Sequence, residues 1–404
     1  MAHGILIAGL RRWARMPVVG RIALIYLLAR LVTTGLLLMA AGASSSLSRF
    51  GLTPSLRDFV LGWDAQWYWW VAVNGYPAVL PTTASGDVAE NAWAFMPVYA
   101  YVSNAIGLGD WAAGALVVSL VSGFLACLML HRLLRARIGS TAALWAVAFF
   151  ASGPLAALFQ VGYAEALFTL LLLIALDLVA RRRYGWLYLV LPVMGFTRPG
   201  ILAFALFLGL HGVLRWMRRD REALPARHAV HIVMLGALAT VVGFAWQVIA
   251  GVVTGDGDAY LKTELSWRRN WLPDPSEHFL PFEGFVRGAE FWAGQAGLPA
   301  WTGWVLLGAL LVGAATLLLR SRSVRRLGVE IRLWSTSYLL YLVAVFFPQS
   351  STLRLLMPLT PLWGALAVPR SRSYRWTMLG LCLLTQWLWI LSMYGLARTF
   401  YQVP

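Results

Sequence analysis

Asp64 stands in the run WDAQWYWW, with Trp63, Ala65 and Trp67 beside it. A carboxylate in so aromatic a setting loses hydration, and burial raises its pKa unless a cation or a hydrogen bond compensates. Such a group can take the proton from a sugar hydroxyl as that oxygen attacks. The position equally suits an ordinary surface or N-cap aspartate. Three further ionisable residues, Glu165, Arg198 and Arg354, fall at or just inside the ends of apolar runs. A charge at mid-bilayer costs about 2.5 to 3.5 kcal/mol on insertion scales, and less near an interface, so these groups are expected to face a polar cavity. Glu165 with Arg198 could be a structural ion pair. Alternatively, Arg198 or Arg354 could hold a phosphate, whose oxygens match the guanidinium fork, and stabilise charge collecting there as a bond breaks. Arg268 and Arg269, in SWRRNW, offer another phosphate clamp or simple headgroup contacts.

Other chemistries find little footing. Asp256-Gly257-Asp258 has the Asp-x-Asp form of a metal motif, but in TGDGD directly after an apolar run it reads as a solvated turn. The histidines form no HExxH, and no Walker loop or GxSxG occurs, which argues against zinc hydrolysis, ATP-driven transport and serine hydrolysis. Cys127 and Cys382 lie inside apolar runs as small hydrophobes. No metal and no cofactor are expected.

The elements that must position these residues are membrane helices. Hydrophobic residues make up 60% of the 404 and charged residues only 12%, too little polar surface to wrap a soluble core of this size. The net charge of +16 does not imply nucleic acid, because it is dispersed between apolar runs. A bilayer core needs roughly 20 apolar residues per helix, about 17 to 25. Eleven candidate spans result, at 22–43, 111–131, 141–161, 166–180, 184–197, 199–214, 230–253, 301–319, 333–347, 355–369 and 376–397, with ten to twelve as the range. The expected fold is thus all-α, a polytopic integral membrane protein in a single membrane domain over 1–404. The first span follows Arg11, Arg12, Arg15 and Arg21 and precedes AAGASSS, as in a signal peptide, but its length favours a retained helix.

With the N-terminus cytoplasmic, 23 of 33 basic residues gather on the inner side and 13 of 17 acidic residues on the outer. Residues 93–108 contain Pro97 and would invert every later loop if they crossed, so they belong to the outer interface or a re-entrant piece. The break at Thr197 to Gly200 follows from Pro199. Two long outer segments, 44–110 and 254–300, can hold chemistry. In the first, Phe59, Trp63, Trp67, Trp70 and Asn74 share helical spacing, predicting one interfacial amphipathic helix over 55–74, with Asp64 and Tyr68 on another stripe.

WDAQWYWWVAVNGYP, from Trp63 to Pro77, resembles the Trp-Asp-x-x-(Trp/His)-(Tyr/Phe)-x-x-Ile-Ala-x-x-Gly-Tyr stretch of the PIG-V mannosyltransferase family, membrane glycosyltransferases of the GT-C class. AFMPVYAYV at 94–102, GYAEALF at 162–168, TRPGIL at 197–202 and SSTLRLLMPLTPL at 350–362 are similar to later family stretches, in the same order. Met96, Ala100 and Pro199 depart from the pattern.

The resemblance implies a GT-C-like fold and an inverting transferase. It would move a sugar, normally mannose, from a polyprenyl-phosphate carrier to a glycolipid, lipoglycan or protein acceptor on the outer face of the cell membrane. Asp64 would be the general base; the expected substrate-binding set is Trp63, Gln66, Tyr68, Glu165, Arg198 and Arg354, with Arg268 and Arg269, read from the residues and not from the resemblance, as alternative phosphate clamps. The competing readings are a GT-C transferase for another sugar, such as arabinose, and a non-enzymatic transporter or flippase for a lipid-linked sugar.

Overall fold

The computed structural model describes residues 15–269, 271–272, 278–399 and 402–404. Arg11 and Arg12 of the first arginine cluster, and Asp274 and Glu277 of the second outer segment, lie outside them. Among the described residues the regular secondary structure is all helical, apart from one isolated antiparallel bridge between Thr82 and Val88. The helices are α1 Val18–Ala43, α2 Leu56–Val60, α3 Asp64–Asn74, α4 Pro97–Gly107, α5 Trp111–Ile138 and α6 Ser140–Ser152. They continue as α7 Glu165–Ala180, α8 Leu187–Gly195, α9 Ile201–Met217, α10 Ala226–Thr254, α11 Ala259–Arg269 and α12 Glu283–Gln295. The last six are α13 Ala300–Arg320, α14 Arg322–Arg326, α15 Val329–Val345, α16 Thr352–Leu355, α17 Trp363–Ala367 and α18 Arg372–Ile390.

Five stretches are long and apolar enough to cross a membrane: α1, α5, α10, α13 and Arg372–Leu396. Each leaves part of its apolar surface outside the protein, α13 the most and α5 the least. On α13, Leu306, Leu310, Val312 and Leu319 are all exposed, an arrangement that water would penalise over so large a patch.

The expected run 141–161 stops being a helix at Ser152 and continues as a short 3-10 turn at Ala156–Phe159. Arg30, buried within α1, explains how the broken end is tolerated. Its guanidinium donates to the Ala151 and Ala156 carbonyls, both at 2.5 Å, and lies over the rings of Tyr26 and Phe159. Carbonyls freed at a helix end in an apolar slab need such a donor. The run 355–369 is broken too, into α16, a 3-10 turn at Met357–Leu362 containing Pro358 and Pro361, and α17. Residues 97–107 form a helix of 11 residues, about 16 Å long at 1.5 Å per residue, well short of a bilayer core.

The single amphipathic helix expected over 55–74 is two helices. Ser55 and Asp58 form a reciprocal capping box at the start of α2, and the chain turns at Trp63, whose φ of 56° ends the helix before α3 begins at Asp64. The face of α3 that is buried carries Ala65, Tyr68 and Val71 instead of the Trp stripe, and Trp70 and Asn74 are exposed.

Ion pairs tie several arginine-rich connections together. Arg132 and Arg181 both hold Asp177 at 2.9 Å, Arg137 holds Glu330 at 3.0 Å, and Arg182 holds Glu222 at 2.8 Å. Asp177 lies near the end of α7, whose first residue is Glu165, so these connections gather at the end of α7 remote from Glu165.

α4 docks on α5 through Gly114, where an added Cβ would overlap the Ser103 carbonyl and the Gly107 backbone. Tyr99 completes the contact by hydrogen bonds to Ser119 Oγ at 2.9 Å and the Ala115 carbonyl at 3.1 Å. Gly114→Ala should therefore destabilise the protein by about 1 to 3 kcal/mol through overpacking. Gly308→Ala, on α13 with open space around it, should be neutral or gain up to about 1 kcal/mol in helix propensity. Thermal unfolding in detergent distinguishes them. Equal melting temperatures for the two variants would contradict this packing.

Candidate active site

Two carboxylates and two guanidiniums meet where four separate segments of the chain converge. Asp64 and Glu165 are each the first residue of a helix, where unpaired amides and the helix dipole favour negative charge. Arg198 sits in the break between α8 and α9. Gly200, at φ 141°, makes this turn in a conformation that other residues rarely adopt, and a Cβ there would lie 3.2 Å from the Phe168 ring. Arg354 comes from α16, which is held from α15: Tyr338 donates to the Leu355 carbonyl at 2.6 Å and Trp334 to the Pro358 carbonyl at 2.8 Å.

Arg354 Nη1 donates to Asp64 Oδ2 and lies 3.2 Å from Glu165 Oε1, which Arg198 Nη2 approaches to 3.5 Å. The Arg354 guanidinium also lies over the ring of Tyr163 at 5.1 Å, and the Tyr163 hydroxyl accepts the Asp64 backbone N–H at 3.3 Å. Glu165 is 1% exposed and Arg198 7%, so their charges survive only as a paired set. Burial pushes the Asp64 carboxyl above the usual carboxylate range, Arg354 opposes that rise and Glu165 adds to it. Burial by itself would weaken the Arg354 cation, but Asp64 and Glu165 outweigh it and hold the guanidinium firmly charged. Glu165 Oε2 and Arg354 Nε are buried with no hydrogen-bond partner among the described residues. An unmet buried acceptor or donor costs about 1 to 3 kcal/mol, so this is a place where a polar ligand gains by binding.

The other expected site residues divide. Tyr68 is buried against Phe95 and Tyr99, within the electrostatic field of all four charged groups. Trp63 does not line the cluster. Its indole N–H donates to the Met393 carbonyl at 2.9 Å, its ring meets Phe50 edge-on, and Arg49 lies over it at 4.3 Å, so it anchors the turn that delivers Asp64. Gln66 is exposed on the opposite side of α3 from the buried face. Arg268 is buried in the neighbouring wall, donating to the Val345 carbonyl at 3.1 Å and 4.0 Å from Glu283. Arg269 donates to the Val88 carbonyl and fastens α11 to the 82–88 loop. Asp256 takes the Asp258 amide at 3.0 Å and the Lys262 ammonium at 2.7 Å, which is turn chemistry.

Two residues escaped the sequence reading, Tyr163, which meets Arg354 and Asp64, and Glu264. Glu264, on α11, is half-buried and feels the charge of Asp64. Burial raises its carboxyl to about 7, against the lowering effects of the Tyr260 hydroxyl that donates to it and of Arg268. Tyr260, Glu264 and Arg268 are four residues apart, a single helix stripe that was available as a signal.

This arrangement can accept a proton at Asp64 and bind an anion at Arg354 or Arg198, within one half-dry wall. The chain matches no known family model and no curated protein.

Proposed function

We propose that this chain is an inverting glycosyltransferase of the membrane surface. It takes a sugar, mannose by the resemblance, from a polyprenyl-phosphate carrier and passes it to a glycolipid, lipoglycan or protein hydroxyl. The observation that carries this reading is the meeting of Asp64, Glu165, Arg198 and Arg354. Each stands in one of the stretches that resemble the family, and they are up to 290 residues apart in the chain. The eleven apolar runs of the sequence are read as eleven crossings, those at 141–161 and 355–369 interrupted, in a GT-C-like arrangement with the N-terminus cytoplasmic and the cluster on the outer face.

In this reading the acceptor hydroxyl gives its proton to an Asp64 oxygen as its own oxygen bonds to the anomeric carbon. The bond from that carbon to the phosphate oxygen breaks from the opposite face, and the electron pair leaves with the polyprenyl phosphate. Arg354 and Arg198 take up the charge that collects there. Because Arg354 also holds Asp64, the donor phosphate competes for the guanidinium, and its arrival frees the carboxylate to act as base. A single displacement inverts the anomeric centre.

Asp64→Asn keeps the shape but cannot accept the proton, so transfer from labelled polyprenyl-phosphate-mannose into envelope glycans of isolated membranes should fall by ~10² to 10⁴. A variant retaining more than about a tenth of the wild-type rate would remove Asp64 from the base position.

Transfer should survive EDTA, since arginine holds the phosphate. Loss of activity with rescue by Mg²⁺ or Mn²⁺ would reassign Asp256 and Asp258 from turn to ligand.

Sidedness is tested by labelling in a Cys127→Ala, Cys382→Ala background. Gly86→Cys lies in an exposed loop joining α3 to α4, and should react with an impermeant maleimide applied to whole cells or spheroplasts. Arg221→Cys, also exposed, should react only once the membrane is opened. The reverse pattern would put the cluster beside cytosolic nucleotide sugars and remove the case for a lipid-linked donor.

A further inference from the structure

At the end of α7 remote from Glu165 lies a cavity of about 450 Å³, lined by Arg182, Arg183, Trp186, Arg227, His228 and His231 together with Tyr184 and Gly185. It sits between the turn that follows α7 and the first turn of α10. No part of the chemistry above uses it. Three features of its wall point to an anion.

The first is unspent positive charge. Arg182 is paired with Glu222, but Arg183 and Arg227 are paired with no carboxylate among the described residues. The N-terminus of α10 contributes as well, because its N-cap is Pro225 and no side chain caps the first amides. The Nδ1 atom of His228 is buried without a hydrogen-bond partner among the described residues. His231 Nδ1 is already engaged with the Tyr188 hydroxyl at 3.2 Å.

The second feature is backbone strain. Arg182 N–H bonds to the Val179 carbonyl and Arg183 N–H to the Leu178 carbonyl, both at 2.9 Å, which is the Schellman ending of a helix. The residue at the turn of that motif has a left-handed conformation and is usually glycine, yet here it is Arg182 at φ 59°. The side chain held there reaches Glu222 at 2.8 Å and forms one wall of the cavity.

The third is what surrounds the mouth. Trp186 is 62% exposed, and Leu189 on α8 and Val230 and Val233 on α10 are exposed along the two helices that lead away from the cavity. Charged groups thus give way directly to an apolar face. A soluble phosphate ester would use the first part and not the second, whereas a lipid uses both.

We propose that this cavity binds the phosphate headgroup of an anionic membrane lipid, with its acyl chains on the Leu189–Val230 face. The cavity volume is within the range of about 300 to 1,000 Å³ typical of small-ligand sites, larger than bare phosphate requires. The proposal is independent of the transferase reading.

The test is native mass spectrometry of the full chain in detergent mixed with phosphatidylglycerol, with phosphatidylcholine as the zwitterionic comparison and inorganic phosphate as competitor. Phosphatidylglycerol should be retained in preference, and millimolar phosphate should not displace it. The double variant Arg183→Gln, Arg227→Gln, at two exposed positions, should weaken retention at least about tenfold, as loss of charge-assisted phosphate contacts does. Arg182→Gly separates ligand binding from folding, since it relieves the left-handed turn: its melting temperature should rise while its lipid retention falls. Equal retention of the two lipids, or retention unchanged in either variant, would overturn the proposal. So would displacement by inorganic phosphate with no lipid preference, which would mark a site for soluble phosphate esters.

Discussion

A charge removed from water must be matched where it lies, and Arg354 is where this chain meets that demand. One guanidinium joins Asp64 and Glu165, and Arg198 supplies the second positive charge, so two anions and two cations share a wall that is largely dry. Removing one member of such a set leaves an uncompensated buried charge, which costs about 3 to 5 kcal/mol in comparable cases. Much of the surrounding architecture follows from that. The Trp63 turn, the Gly200 turn and the hydrogen bond from Tyr338 to α16 all bring charged residues from distant segments to one point.

The same rule governs the rest of the apolar slab. Arg30 is buried in α1 without a carboxylate among the described residues, and its guanidinium donates to the backbone carbonyls of Ala151 and Ala156 on either side of the break after α6. Asp177 is matched by Arg132 and Arg181 at the far end of α7. Irregular backbone inside a membrane is tolerated only where protein supplies the missing partners. The interrupted segments at Ser152–Phe159, Thr197–Gly200 and Met357–Leu362 each lie beside a buried polar or charged side chain.

Helix class and the positions of most apolar segments were legible in the sequence because composition and run length carry them directly. The breaks were less so. Pro199 announced the turn at Arg198, and Pro358 and Pro361 could have announced the 3-10 turn after α16. The end of α6 also had a local signal, Gly153-Pro154 directly after Ser152, that the reading of 141–161 as one run passed over; what the sequence could not show is that Arg30, 121 residues from Ala151, satisfies the freed carbonyls. The charged cluster was legible residue by residue but not as a pairing: Glu165 and Arg198 were visible as partners, while the bond from Arg354 to Asp64 depends on tertiary convergence. The stripe joining Phe59, Trp63, Trp67 and Trp70 failed because helical periodicity was extended across the turn at Trp63, whose φ is positive. Glu264 was counted among the acids of the outer segment and passed over, although its spacing from Tyr260 and Arg268 was there to read.

Arg354 also constrains the order of events on the proposed reading. A carboxylate bound to a guanidinium is a weak base, because the cation stabilises its charge. If an acceptor hydroxyl arrived first, it would meet an Asp64 still engaged with Arg354, and proton transfer would have to break that pair unaided. A donor phosphodiester arriving first offers Arg354 a second monoanion whose two free oxygens match the guanidinium fork, so that an exchange of partners accompanies binding. Glu165 remains behind, holding Arg198 and limiting how far the guanidinium travels. The base is then released where a sugar is already in place. The ion pair that makes the empty site stable thereby keeps the carboxylate from acting without its donor.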